Sequence, residues 1–350
     1  MAVTQVLLEE TSPNGNVQAI VEVADGACYF YLFGGRETSI GLRSVWVRNL
    51  AQAPISLDVD AMKGGKPPMN PRAHCAHPDG AAPLRQRELR VVWLPEGNGA
   101  GLYEQAELLA VIPPWSGEGT FAGYARDCVG EGPVAWPLAA HNALIERLDR
   151  ADVYWRQWGD ENPWPALQTA LCEEVASALG KHSNYYAIDG GAWPPKALLR
   201  VPVAAATALV TIGVCIRPQP NVERFVEDPR PRRRIELGAW LPAAWPNDAI
   251  TRFAGYLSAQ SNLPWSRYTW LGPGHTIPCD AWPDARFEYA LLTDRHARVH
   301  VNLGEHFEDP VTVLWLLPLT RDEQRRVVES GSDAVLRDLP PDRGGVVARG

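Results

Sequence analysis

The stretch from Val201 to Ile216 is rich in valine and nearly continuous in its hydrophobicity. A run of this length bounded by turn signals reads as strand structure that is apolar on both faces, and such strands need a covering layer on each side. Pro202, Thr207 and Thr211 interrupt the run, and it is too short to cross a bilayer. The feature therefore predicts a central strand buried on both faces in a soluble protein, with no membrane partner.

The neighbouring patterns fit that layered plan. A helix is expected from Pro165 to Leu179, stopped by Gly180. Strands follow over Leu198–Val203, Ala208–Ile216 and Arg233–Leu241. Asn247 is a candidate cap for a helix through Ile250, Phe253 and Leu257. Further strands are predicted over Phe287–Thr293, Arg298–Leu303 and Val311–Leu317. Thr320, with Glu323 three residues on, has the spacing of a capping box for a last helix.

The N-terminal half reads as β-rich. Asp25-Gly26 is a hairpin signal between Val17–Val23 and Ala27–Phe33. More strands are expected at Ser39–Leu50, Ile55–Ala61, Glu88–Leu94 and Leu102–Ile112, with a long Pro/Gly-rich loop over Lys63–Pro83. Apolar residues at helical spacing predict a helix from about Val134 to Trp158. Gly159 and the run Asp160–Pro163 end it. The expected organisation is a β-rich domain over 1–159, a second domain over 160–339 and a flexible tail over 340–350. The expected fold class is α+β (mixed α/β).

A chain of 350 residues can bury large cores without disulfides or metals. Its net charge of -8 argues against nucleic acid as a partner, since phosphate binding needs a concentrated positive field. Six cysteines without a CxxC pair, behind a start that lacks a basic and then apolar leader pattern, read as reduced, mostly buried thiols in a cytoplasmic protein. Fourteen tryptophans, many beside proline, read first as core anchors and second as interface anchors.

Catalytic signatures are missing from the pattern. No G-x-S-x-G elbow occurs, and Gly272-Pro273-Gly274-His275-Thr276 lacks the lysine of a phosphate loop. It reads as a tight turn that places His275 and Thr276. His74-Cys75-His77 offers zinc-type ligands but no second pair at a recognisable spacing. Arg298, His300 and Asn302 alternate with Val299, Val301 and Leu303, so their polar side chains are expected on one face of a strand. With Asp294, His296 and His275 they form the expected partner-binding set; no catalytic, cofactor or metal residue is assigned. The basic run Arg230-Pro231-Arg232-Arg233-Arg234 follows Glu223, Glu227 and Asp228 and reads as a solvated loop entering a strand.

Three blocks carry a resemblance. Arg234-Ile235-Glu236-Leu237-Gly238 leads through Pro242 into an amphipathic helix. Gly272-Pro273-Gly274-His275-Thr276-Ile277 precedes the strand Phe287–Thr293. Val313-Leu314-Trp315-Leu316-Leu317-Pro318-Leu319-Thr320 precedes an acidic helix start. In this order, over residues 163–339, they resemble the suppressor-of-fused (SUFU-like) domain family, bacterial type. The resemblance implies a mixed sheet flanked by helices and a non-enzymatic, protein-binding role. For bacterial members it implies an immunity protein that neutralises a toxin. The N-terminal β-rich half departs from the animal members of the family, so their transcription-factor role is not carried over. The competing expectation is a hydrolase or metal-dependent enzyme using His275, His300 and His306.

Overall fold

The computed structural model describes residues 4–35, 40–138, 142–204, 206–295 and 301–339. The chain divides into two units, Met1–Glu161 and Asn162–Gly350. The mixture of helices with largely antiparallel sheets is α+β.

In the first unit, β1 (Gln5–Thr11), β2 (Val17–Ala24), β3 (Ala27–Gly34) and β4 (Leu42–Asn49) form an antiparallel meander. Asp25 and Gly26 both take positive φ between β2 and β3, as a two-residue hairpin turn requires. A second sheet contains β5 (Leu89–Trp93), β6 (Ala100–Glu104), β7 (Glu107–Ile112), β8 (Tyr124–Ala125) and β9 (Trp136–Pro137). The helix α2 (Asn142–Asp160) packs Leu144, Leu148 and Ala151 on Val92, Tyr103 and Val111 of that sheet. The approach is close. A Cβ on Gly101 would lie 2.8 Å from Leu148 Cδ1.

Three expectations are corrected in this unit. Ile55–Ala61 is not a strand: Ile55 is 92% exposed, and Asp58 accepts a bond from Ala61 N at 2.9 Å to start the short helix α1 (Val59–Lys63). Leu102–Ile112 is not one strand but the hairpin β6–β7, turned at Gln105, whose φ is 54°. The helix expected from Val134 begins at Asn142, because Trp136-Pro137 pairs in parallel with Tyr124-Ala125. The sequence reading also passes over β1.

In the second unit, α3 (Trp164–Leu179) ends at Gly180, whose φ is 94°. Then come β10 (Asn184–Ala187), β11 (Ala197–Val203) and β12 (Ala206–Ile212). The short helices α4 (Val222–Phe225) and α5 (Arg230–Arg233) lead into β13 (Arg234–Pro242). After α6 (Asn247–Gln260) and α7 (Leu263–Ser266) come β14 (Thr276–Pro278), β15 (Phe287–Thr293), β16 (Glu305–His306) and β17 (Asp309–Thr320), then α8 (Arg321–Ser330) and α9 (Ser332–Asp338). The sheet order is β10-β11-β12-β13-β17-β15-β14, with β16 folded onto β17. Only the β13–β17 pairing along this order is parallel.

Every residue of β12 is buried, as its two-sided apolar pattern requires. On one face α6 sets Ile250, Phe253 and Leu257 against Leu237, Leu292, Leu314 and Leu316. On the other, α8 and α9 set Val327, Val335 and Leu336 against Leu291, Leu317 and Leu319. Adjacent leucines of β15 and β17 thus serve opposite layers, the period of two at work. Thr320 and Glu323 form the expected reciprocal cap.

Corrections follow here too. The strand expected to reach Ile216 stops at Ile212. Gly213 takes φ 92° and leads into a 3-10 turn over Val214–Ile216. Pro246, not Asn247, is the cap position of α6; the Asn247 side chain instead accepts from Arg200 Nη1 at 2.7 Å. Of the strand expected over Arg298–Leu303, the described part, Val301–Leu303, has no regular pairing. Its side chains still alternate, with Val301 and Leu303 buried and Asn302 exposed. The tail 340–350 lies outside the described residues.

Candidate interaction site

The parallel register pairs Arg234 with Val311 and so brings the basic run before β13 alongside the acidic start of β17. Asp309, buried, is the hub. Its carboxylate lies 3.1 Å from Arg233 Nη1, 3.4 Å from Arg234 Nε and 4.0 Å from Arg230 Nε. Arg233 also reaches Glu223 at 3.0 Å, and Arg230 reaches Glu305 at 3.8 Å. Arg234 is buried and donates to the carbonyls of Cys215 and Ile216, both at 2.7 Å. The basic run is therefore not a solvated loop. Arg230–Arg233 is a helical turn wired to acids, and Arg234 belongs to the sheet interior.

The β16–β17 turn is held by the same arginines. Phe307 and Glu308 both have positive φ, 52° and 67°, a conformation that strains residues other than glycine. Arg230 Nη2 donates to the Glu308 carbonyl at 2.8 Å, and the Arg234 guanidinium lies 4.8 Å from the Phe307 ring centre. Those contacts offset the strain. One residue before the turn, His306 Nε2 lies 3.6 Å from Glu174 Oε2 of α3.

Asp294, at the end of β15, joins this lattice through Arg232 Nη1 at 3.0 Å. Asn302 is exposed but does not project from a strand face; its side chain accepts from Gly304 N at 3.0 Å and shapes its own loop. His275 sits at the start of β14, where its carbonyl accepts from Leu292 N at 2.8 Å. Its ring meets Trp270 edge-on at 4.4 Å, and burial holds its pKa below the ordinary histidine value. The Gly272–His275 turn forms as expected, closed by His275 N to Gly272 O at 3.1 Å with Gly274 at φ 90°. His296, Arg298 and His300 lie outside the described residues.

Asp309 and Glu174 were missed in the sequence, and Arg232 was read there only as part of a solvated loop. A signal for the Arg232 and Asp309 pairings existed: an arginine-rich run and the run Glu305-His306-Phe307-Glu308-Asp309 each stand at the start of an apolar strand. Opposite charges at two such starts suit strands that lie side by side and parallel.

A second polar group is sealed in the interior. Glu236 is fully buried, accepting from Thr211 Oγ1 at 2.6 Å and from Cys215 N at 3.0 Å, and burial pushes its pKa up to about 7. Lys196 is buried too, with its ammonium donating to Asn262 Oδ1. Burial first, then the Arg217 charge, brings its pKa down to about 8. The Arg217 guanidinium lies over the rings of Trp265 and Trp193, 5.0 and 5.7 Å away. Glu236 fills the place where β12 leaves β13, satisfying the backbone of the 3-10 turn, which is a structural task.

His74 Nδ1 lies 3.1 Å from the Val129 carbonyl, and Cys75 Sγ donates to the Asn70 carbonyl at 3.3 Å. Among the described residues, no three His, Cys, Asp or Glu side chains are placed to hold a metal ion. No described helix is long and apolar enough to cross a membrane.

Comparison with known proteins adds one finding. Residues 193–347 match the family model of the suppressor of fused protein (SUFU). The second unit thus carries a suppressor-of-fused-like domain, and the match spans β11 to α9 while leaving out α3 and β10. No curated protein matches the chain.

Proposed function

We propose that the suppressor-of-fused-like domain makes this chain a non-enzymatic protein-binding module, and that it acts as an immunity protein neutralising a toxin in a bacterial toxin system. The family match over residues 193–347 carries this reading. The charge lattice at the start of β13 and β17 supports it. Arg230, Arg232 and Asp294 are held in place by ion pairs yet remain partly open to solvent. Side chains already ordered lose less rotamer entropy when a partner docks. Alternating signs favour a partner of complementary pattern and repel others. His275, Asp294, His296, Arg298, His300 and Asn302 are the partner-facing residues in this reading.

The test is an affinity pull-down of the tagged chain from its host, read by mass spectrometry and repeated with Arg232→Glu and Asp294→Arg. The expected result is one dominant polypeptide, toxic when expressed alone, whose recovery falls at least tenfold with either charge reversal. Capture unchanged by both variants would remove the lattice from the interface. A turnover activity lost in His275→Ala would replace the binding role with an enzymatic one.

A further inference from the structure

Cys75, in the middle of His74-Cys75-His77, faces Cys128 across an isolated antiparallel bridge. Ala76 N donates to Asp127 O at 2.9 Å, and Val129 N donates to His74 O at 3.1 Å. These two bonds flank the cysteines, so Cys75 and Cys128 are a non-hydrogen-bonded pair. At such a pair opposite Cα atoms stand about 4.5 Å apart, and opposite Cβ atoms about 4.5 Å apart as well. A disulfide takes Cα separations of roughly 4.4–6.8 Å and Cβ separations of roughly 3.5–4.5 Å, so this register can be bridged without rearranging the backbone. Both cysteines are free and buried. Both also rest against Asn70: Cys75 Sγ donates to its carbonyl at 3.3 Å, and its side-chain amide donates to Cys128 Sγ at 3.9 Å.

We propose that Cys75 and Cys128 form a cross-strand disulfide site, closed by a low-molecular-weight disulfide as oxidant and reopened by thiols. In the exchange the Cys75 thiolate attacks one sulfur of the small disulfide, whose other half leaves as a thiolate. Cys128, deprotonated in turn, attacks Cys75 Sγ and expels the second half. One S–S bond forms in the protein and one breaks in the oxidant; the two protons lost by the cysteines end on the two small thiols. The surroundings tolerate the loss of both S–H donors. The Asn70 carbonyl keeps its bond from Asn49 Nδ2 at 2.8 Å. The Pro71 carbonyl, to which Cys75 Sγ also donates at 3.4 Å, keeps its bond from His74 N at 2.8 Å. The Ala135 carbonyl, which accepts from Cys128 Sγ at 3.1 Å, keeps its bond from Gly132 N at 3.0 Å. Cys128 Sγ also donates to Gly130 O at 3.4 Å, but Gly130 is exposed and water can replace that bond. Closure therefore leaves no buried acceptor orphaned. Burial first, and then the neighbouring Cys128, push the Cys75 thiol up to about 11, and burial raises Cys128 too. Thiols held protonated exchange slowly, so the site responds to excess oxidant and not to a trace of it. The bond ties the loop around the Arg72–His74 turn to the segment after β8. It lies outside residues 193–347 and is independent of the toxin-binding reading.

The experiment treats the folded full chain with excess glutathione disulfide at mildly alkaline pH. It is read by intact mass, by peptide mapping without reduction and by thermal melting. The expected product is a chain lighter by two hydrogens that yields one cross-linked peptide pair containing Cys75 and Cys128. Its melting temperature should rise by roughly 5–10 °C, because the bond closes a long loop of the unfolded chain. Dithiothreitol should reverse both changes. Cys75→Ser and Cys128→Ser should each lose the cross-link and the shift; if either variant fails to fold, the wild-type map decides alone. A map with glutathione adducts only, whether on the less buried Cys172 or on either member of the pair, overturns the proposal. So does a chain that keeps every thiol. A Cys75–Cys128 cross-link that lowers the melting temperature also overturns it, because the bond would then have been trapped from an opened chain and not made within the fold.

Discussion

The two ends of the eight-stranded sheet differ in how the chain treats them. At β14 the edge is closed. Pro278 has no N–H to offer, and its carbonyl already accepts from Tyr256 Oη at 2.6 Å. Ile277 and Cys279 on either side are buried against Trp282 and Phe253. At β10 the edge is open, with Tyr185 and Tyr186 38% and 41% exposed. One end is sealed by tertiary packing that the fold needs anyway, and the other by nothing among the described residues. An edge is therefore a property of its surroundings, and each end can be broken separately.

The largest effect is expected where packing seals β14. Trp282 packs at a tilt against Phe253, ring centres 4.5 Å apart, and donates to the Tyr289 carbonyl at 3.0 Å. Trp282→Ala should destabilise the chain by about 3–5 kcal/mol, as large-to-small changes at buried aromatics do. Urea unfolding measures it, and amide exchange should rise along β14 and β15 but not along β10. A loss below about 1 kcal/mol would mean that β14 is held by its ladder alone.

The next effect bears on how β10 is tied to the sheet. Lys196 anchors the β10–β11 turn, since its N–H donates to Asp189 Oδ2 at 2.9 Å and its ammonium reaches Asn262. Its folded pKa of about 8 lies below the usual 10.5, so the unfolded chain binds more protons between those values and stability rises with pH there. Glu236 has the opposite sign. Its folded pKa of about 7 lies above the usual 4.5, so the folded chain holds the extra proton and stability falls as pH rises from 4.5 to 7. Each limb is on the order of 3 kcal/mol, which puts a stability minimum between pH 7 and 8. Buried thiols such as Cys28, pushed up to about 12, oppose the alkaline limb. The comparison is therefore made as wild type minus variant. Glu236→Gln should flatten the acid limb and Lys196→Met the alkaline one. Unfolding curves whose difference does not change with pH would remove either group from the account.

How far these features could be read in the sequence follows from how local their causes are. β12, β13, β15 and β17 were legible because a buried strand announces itself by an apolar run, and the α8 cap because Thr320 and Glu323 are three residues apart. The β6–β7 hairpin was not, because Gln105-Ala106 carries no glycine, asparagine or proline to mark a turn. Ile55–Ala61 misled because its apolar residues suggested burial, whereas Asp58 commits the segment to a helix start. β10 is four residues with no apolar alternation, and only its pairing with Ala197–Arg200 makes it a strand. The setting of Asp309 was not legible. Its arginine partners lie more than seventy positions away, at 230, 233 and 234, and only the parallel β13–β17 pairing brings them together.

The smallest effects separate the two edges most cleanly. Tyr256→Phe removes one hydroxyl and leaves the Pro278 carbonyl without its partner, which should destabilise the chain by about 1 kcal/mol. Tyr185→Ala removes a larger side chain from a half-open position on an edge whose outward groups are already solvated. Its effect on the monomer should stay within about 0.5 kcal/mol. The deletion of a single oxygen at one end is thus expected to outweigh the loss of a whole aromatic ring at the other, with both read by urea unfolding at low micromolar concentration. If Tyr185→Ala proves the more destabilising of the two at that concentration, β10 is held by packing after all, and the contrast between a sealed and an open edge fails.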